Sequence, residues 1–152
     1  MGLLGKIGGK IGDKINEKID ETLNPKMRST SNNSNWKEEY SEKQSRKHGK
    51  EISELEKQMD KFYQNDSYVD LFGCCSHILG LNPCHLESRK LSVYALVELE
   101  RYNDAHEFCS KLLEDYPNDS FLMEQMGKML LGSGEYIRSI TWFERLIQKT
   151  PA

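Results

Sequence analysis

Three prolines divide the C-terminal two-thirds of this 152-residue chain into equal lengths. Pro83, Pro117 and Pro151 are 34 residues apart, and they close the similar phrases ILGLNP, LLEDYP and LIQKTP. A fixed period of about 20–50 residues with matching apolar positions indicates a repeat architecture, in which each repeat buries its apolar face against a neighbour. The period predicts three repeats, which span residues 52–85, 86–119 and 120–152.

Equivalent positions of the three repeats carry similar side chains. Counted from the first residue of each repeat, position 17 is always tyrosine (Tyr68, Tyr102 and Tyr136). Positions 27 and 28 are branched aliphatic in all three repeats. This spacing predicts two amphipathic helices per repeat, with one turn just before the tyrosine and a second turn at the proline.

These positions resemble the tetratricopeptide repeat family, whose pattern has small residues at positions 8, 20 and 27, aromatic residues near 11 and at 24, and proline at 32. The third repeat matches best, with Gly127, Phe143 and Pro151 in place. The first repeat departs from the pattern, because Met59 stands at position 8 and Leu71 at position 20. These larger residues are expected to push the first helix pair apart or to shift its register. The resemblance implies an all-α fold, a helical-hairpin solenoid of about three repeats.

The resemblance also implies a function, the binding of another protein in a concave groove lined by the first helix of each repeat. Apolar anchors with charges at the margins suit an extended peptide or a helix. The implied groove residues are Glu56, Asp60, Tyr63, Lys90, Leu91, Tyr94, Val97, Phe121, Gln125, Lys128 and Leu131. Family members that grip the acidic C-termini of heat-shock chaperones have lysine and asparagine where Glu56 and Asp60 stand here, so that class of partner is excluded.

The first 24 residues repeat a four-residue phrase that begins with lysine and isoleucine, and they predict an amphipathic helix. At about 100° per residue, its apolar side chains fall within an arc of roughly 200°. They are Leu3, Leu4, Ile7, Ile11, Ile15, Ile19 and Leu23. In this lysine–isoleucine segment (residues 1–24), the helix propensity is lowered by Gly5, Gly8, Gly9 and Gly12, so the segment needs a surface on which to fold. Three surfaces compete for it: a membrane interface, the repeats of the same chain and a partner helix.

Residues 25–51 connect the lysine–isoleucine segment to the repeat domain, residues 52–152. Serine, threonine and asparagine dominate up to Asn35, which is typical of a flexible linker, and the charged stretch that follows predicts a helical lead-in. Residues 1–50 carry a net charge of +4 and residues 51–152 a net charge of −7. The basic side chains of the lead-in are offset by glutamates, which argues against nucleic-acid binding.

Cysteine and histidine, the residue types of a zinc site, occur together at Cys74-Cys75-Ser76-His77 and at Cys84-His85. The repeat frame favours packing instead, because Cys75 and Cys109 share position 24 with Phe143, and buried cysteine behaves as a small hydrophobic residue. We therefore predict no metal site and reduced, partly exposed thiols, with zinc as the minor alternative. The four histidines are isolated in the sequence and are predicted to be surface residues.

No stretch combines a nucleophile with a base, a phosphate-binding loop or paired carboxylates, so we expect a non-catalytic protein without a cofactor. No run of about 20 apolar residues is present, and lysines interrupt the N-terminus before a signal peptide can form. The chain is expected to be cytoplasmic, and peripheral to a membrane where the lysine–isoleucine segment binds one. The predicted function is an adaptor for a protein partner. The alternatives are a self-associating structural component, hence a homo-oligomer, and a repeat-containing secretion chaperone.

Overall fold

The computed structural model describes residues 36–149, of which none lies in a β-strand. The helices are α1 (Trp36–Lys47), α2 (Gly49–Gln64), α3 (Tyr68–Leu81), α4 (Leu86–Glu98), α5 (Tyr102–Asp115), α6 (Ser120–Gly132) and α7 (Tyr136–Lys149). The all-α prediction is confirmed for this part of the chain. Within residues 36–149, no helix is both long enough and apolar enough to cross a membrane.

The helix ends keep the 34-residue spacing of the sequence. Helices α3, α5 and α7 each have 14 residues and begin at Tyr68, Tyr102 and Tyr136. Helices α4 and α6 each have 13 residues. The first repeat keeps the same frame, so its larger residues at positions 8 and 20 do not shift these helix ends, contrary to the expected change of register. Helix α2 begins three residues before the predicted start of the repeats and includes the end of the lead-in.

The turn within each repeat has the same backbone at position 15. Asp66, Glu100 and Gly134 occupy this position, and all three have positive φ, at 55°, 59° and 85°. In each turn the residue at position 16 donates its N–H to the carbonyl at position 11, and position 15 donates to position 12. This pair of hydrogen bonds is the Schellman motif, which ends a helix by satisfying its last carbonyl groups. The turn predicted before each tyrosine is therefore present three times.

The described residues divide into two compact units, one up to Ser88 and one from Arg89 onward, with the division inside α4. In the first unit, α2 buries Ile52, Leu55 and Met59 at helical spacing. Helix α3 supplies the other side of this core with Leu71, Phe72, Cys75, Ile78 and Leu79. Met59 and Leu71 are both fully buried, so these two large residues form part of the core of the first unit.

Asn82 fastens the lead-in helix α1 to the first unit. This side chain is fully buried, and its Nδ2 donates to the Ser41 carbonyl at 3.1 Å and to the Ser41 hydroxyl at 3.0 Å. Its Oδ1 accepts from the backbone N–H of Cys84 at 3.2 Å. Because a buried amide must find partners for both its oxygen and its nitrogen, Asn82 fixes the turn at Pro83 and holds α1 with the same side chain.

The second unit is built on close helix contacts at two glycines of α6. A Cβ added to Gly127 would lie 2.7 Å from two ring carbons of Phe143 in α7, and one added to Gly132 would overlap the phenol of Tyr102 in α5. Ser139 of α7 donates to the Gly127 carbonyl at 2.8 Å. The resemblance placed small residues at positions 8 and 20 and an aromatic residue at 24, and Gly127, Ser139 and Phe143 meet here.

Three sequence predictions concern residues outside the described range. They are the amphipathic helix of the lysine–isoleucine segment, the linker that follows it, and the turn at Pro151.

Candidate partner-binding site

The predicted groove residues of the first unit lie on α2 beside its buried residues, since Tyr63 is about 40° around the helix from Met59 at about 100° per residue. Asp60 is exposed, and Tyr63 is 44% exposed although it is a large aromatic residue. Glu56 is only partly exposed. Tyr63 and Asp60 are therefore accessible to a partner, whereas Glu56 is engaged within the unit.

Glu56 contacts His85, a residue that sequence reasoning placed on the surface. The His85 side chain is only 12% exposed, and its Nε2 lies 3.0 Å from Glu56 Oε1. Its Nδ1 accepts the backbone N–H of Ser88 at 3.2 Å and lies 2.8 Å from the Ser88 hydroxyl. The backbone donor fixes Nδ1 as the unprotonated nitrogen, so Nε2 carries the proton toward Glu56. The prediction that His85 is a surface residue is wrong.

Ser88, His85 and Glu56 are residue types that also occur in catalytic triads, but here their contacts cap the N-terminus of α4. His85 immediately precedes α4, and its imidazole satisfies the N–H of Ser88 in the first turn, as an N-cap side chain does. Ser88 is fully buried, which leaves no space for a substrate beside its hydroxyl. The arrangement is therefore structural.

The second unit repeats this geometry with different residues. Asp119 precedes α6 and accepts the backbone N–H of Leu122 at 3.1 Å, while its other oxygen pairs with Lys90 of α4. Burial alone raises the pKa of the Asp119 carboxyl, but the hydrogen bond and charge of Lys90 and the N–H groups of Leu122 and Phe121 outweigh it, so the pKa is lowered. Glu56 and Lys90 both stand at position 5, and His85 and Asp119 both stand at position 34.

Two predicted groove residues are buried. Val97 on α4 is 7% exposed and Gln125 on α6 is 1% exposed, so neither is presented to a partner. Among the buried side-chain nitrogen and oxygen atoms of residues 36–149, Gln125 Oε1 is the one without a hydrogen-bond partner. The remaining predicted residues keep at least part of their surface. They are Leu91, Tyr94, Phe121 and Lys128, which are partly exposed, and Leu131, which is 52% exposed.

None of the four cysteines forms a disulfide, and all four are buried, which corrects the expectation of partly exposed thiols. Cys74 donates to the Leu55 carbonyl at 3.1 Å, and Cys109 donates to the Leu122 carbonyl at 3.5 Å. Burial raises the pKa of the Cys74 thiol, and burial together with the charge of Asp119 raises the pKa of Cys109 to about 12. Within the described part of the chain, no three cysteine, histidine or acidic side chains lie close enough to hold a metal ion.

A cleft of about 220 Å³ lies in the second unit beside the first turns of α5 and α7. Its polar lining includes Asn103, His106, Glu135 and Arg138. Arg138 Nη1 donates to Glu135 Oε2 at 2.6 Å, so the charges in the cleft compensate each other. This pairing leaves the cleft without an excess charge that would select an ionic ligand.

No protein-family model and no curated protein matches this chain.

Proposed function

We propose that this protein is a non-catalytic adaptor that binds another polypeptide through the solvent-facing sides of the first helices of its repeats. The observation that carries the proposal is the chemistry of position 12. Tyr63 on α2 and Leu131 on α6 occupy this position and are 44% and 52% exposed, although other apolar residues of the same helices are buried. A single exposed apolar residue is common on protein surfaces, but its recurrence at this position in the first and third repeats favours a binding role. In the middle repeat the equivalent residue, Val97, is buried.

The residues around position 12 support a peptide or a helix as the ligand. Asp60 and Lys128 stand at position 9, about one helical turn before Tyr63 and Leu131, and Tyr94 stands at position 9 of the middle repeat. Apolar anchors with charged residues beside them bind a polypeptide by burying its side chains while leaving its charges in water. The resemblance to tetratricopeptide repeats points to the same surface.

Position 5 argues against an acidic tail as the ligand. Glu56 and Lys90 at this position contact the residues that cap α4 and α6, so Lys90 already has a carboxylate partner. A ligand carboxylate would have to displace Asp119 from Lys90 and from the N-terminus of α6. We therefore propose a partner with apolar anchor residues, which the protein meets in the cytoplasm.

Self-association is the alternative role, and it would use the exposed apolar side of α7. A second copy of the protein would then compete with the lysine–isoleucine segment of the same chain for that side. A membrane-peripheral position would require that segment to be free for lipid.

Partner capture from a lysate of the host cell tests the adaptor proposal. Immobilised full-length protein is compared with the double variant Tyr63→Ala/Leu131→Ala and with Val69→Ala, a control at an exposed apolar residue of α3 that is 48% accessible. We expect a set of proteins that the wild type and the control retain and the double variant loses. An identical set for all three proteins would show that these first-helix residues bind no partner.

A further inference from the structure

Helix α7 carries an apolar face that the described residues leave uncovered. Tyr136, Ile137, Ile140 and Ile147, here named the α7 outer face, are 62%, 83%, 56% and 68% exposed. At about 100° per residue, Tyr136, Ile140 and Ile147 lie within about 40° of one another, and Ile137 lies about 60° further round. Four large apolar side chains on one side of a helix are more than the scattered exposure that a protein surface normally shows.

The equivalent positions of the earlier repeats are better covered. Phe72 matches Ile140 and is 5% exposed, and Leu79 matches Ile147 and is fully buried. Tyr102 matches Tyr136 and is partly buried, with its ring over Gly132 of the next helix in the sequence. In the second unit, α6 thus packs against Tyr102 of α5, whereas no described helix packs in this way against Tyr136 of α7. A suitable occupant of the α7 outer face is a helix with a glycine for Tyr136 and apolar side chains for Ile140 and Ile147.

We propose that the occupant is the lysine–isoleucine segment of the same chain. Its apolar arc, which contains Ile7, Ile11 and Ile15, is one-sided and needs a surface. At about 100° per residue, Gly8 and Gly12 fall inside this arc, whereas Gly9 falls outside it. The segment therefore offers glycines among isoleucines on one face, as α6 offers Gly132 to Tyr102.

Charge supports the same pairing. Glu144 is the one acidic residue of α7, and at about 100° per residue it lies between Ile140 and Ile137 on the outer face. It is exposed. The four-residue period of the segment carries Lys14 and Lys18 into its own apolar arc, where a lysine facing apolar surface is unfavourable. Docking with these lysines turned toward Glu144 would give both charges a partner.

Docking has a consequence for localisation, because one apolar stripe cannot cover α7 and enter a membrane interface at the same time. While the segment is docked, its isoleucines are kept from lipid. Release from α7 exposes both the apolar arc of the segment and the α7 outer face.

Isoleucine methyl NMR of the full-length protein tests the proposal. The chain has nine isoleucines, of which seven lie on the two proposed partners: Ile7, Ile11, Ile15, Ile19, Ile137, Ile140 and Ile147. We expect NOEs between methyl groups of the segment and those of Ile140 or Ile147. A sample that mixes differently labelled copies separates contacts within a chain from contacts between chains.

Ile137→Lys is the disrupting variant, and Val69→Lys is its control, since Val69 stands at the same repeat position in α3 and is 48% exposed. Ile137 is 83% exposed, so its replacement leaves the core of the second unit unchanged. We expect Ile137→Lys to abolish the NOEs and to move the segment methyl shifts to random-coil values, and Val69→Lys to change neither. The proposal is wrong if the wild-type segment shows no NOE to α7, if the NOEs arise only between copies, or if the segment orders only on phosphatidylserine vesicles.

Discussion

Gly127 of α6 lies directly beneath the ring of Phe143 of α7, so close that a Cβ at Gly127 would be 2.7 Å from two ring carbons. Gly127→Ala must therefore push α6 and α7 apart or force Phe143 off its rotamer. Overpacking of this kind costs about 1–3 kcal/mol, which exceeds the gain of about 1 kcal/mol from replacing a helical glycine with alanine. We expect a lower free energy of unfolding, measured by urea titration.

Gly73 of α3 provides the matched control, because no atom lies within 4 Å of a Cβ added there. Gly73→Ala gains helix propensity without a clash and is expected to raise stability by about 0.5–1 kcal/mol. Equal effects of the two substitutions would contradict the close helix contact at Gly127.

Glu100→Gly is expected to stabilise the turn between α4 and α5. Glu100 has a φ of 59° and is exposed, so a side chain is held in the left-handed region without a packing contact that compensates for it. Glycine adopts this conformation freely, and relief of the strain should raise stability by about 0.5–1 kcal/mol. The reverse substitution, Gly134→Ala, should lower it by about 1 kcal/mol, since φ is 85° there and the space is open. Thermal unfolding of both variants measures the two effects, and opposite signs from those stated would refute the turn geometry.

The Lys90–Asp119 pair makes stability depend on pH in the acid range. The pKa of Asp119 is lowered in the folded protein, so its carboxylate stabilises the fold at pH values above its unfolded pKa of about 3.9. This contribution is lost as the pH falls through the lower pKa of the folded state. Asp119→Asn keeps a side chain that can cap α6 but removes the charge. We expect the variant to be about 1 kcal/mol less stable than the wild type at pH 7, and this difference to shrink below pH 4. A difference that stays constant from pH 7 to pH 3 would show that the pair adds no pH dependence.

The thiols should resist modification while the protein is folded. All four cysteines are buried, and the pKa of Cys109 is raised to about 12, so little reactive thiolate forms at pH 8. Titration with Ellman's reagent should detect less than one thiol within minutes in the native protein and all four in guanidinium chloride. Rapid modification of a native thiol would indicate a reactive cysteine.

The sequence predicted the helices and turns well because they follow the 34-residue period. Tyr68, Tyr102 and Tyr136 each begin a helix, and Gly127 meets Phe143 as the family pattern implies. These features depend on local periodicity and on the size of single residues, which an amino-acid sequence displays directly.

The contacts between positions 5 and 34 could not be predicted in the same way. Glu56 pairs with His85 and Lys90 pairs with Asp119, and each pair is 29 residues apart. The geometry recurs, but the acidic residue is at position 5 in the first pair and at position 34 in the second. The alignment of the repeats therefore shows no shared residue type at either position. A sequence signal for these pairs did exist. A residue able to cap a helix stands immediately before α4 and before α6, and a charged residue stands 29 positions earlier, in the first helix of the previous repeat.

Groove positions were assigned from the family pattern, which gives the side of a helix but not how deeply each side chain is covered. Val97 shares position 12 with Tyr63 and Leu131, yet it is 7% exposed whereas they are half exposed. Helix α4 is buried on most of its sides, as Ser88, Arg89, Ser92 and Val93 show. A repeat position that is exposed on α2 and α6 is therefore buried on α4. The amount of cover depends on neighbouring helices, which repeat numbering does not reveal.

The affinity of a captured partner for the full-length protein tests the adaptor account most directly. Isothermal titration calorimetry compares the wild type, Tyr63→Ala/Leu131→Ala and Val69→Ala, with circular dichroism to verify that all three are folded. The account predicts a Kd at least about tenfold weaker for the double variant, equivalent to about 1.4 kcal/mol, and a change of less than about twofold for Val69→Ala. Equal Kd values for the wild type and the double variant would contradict it.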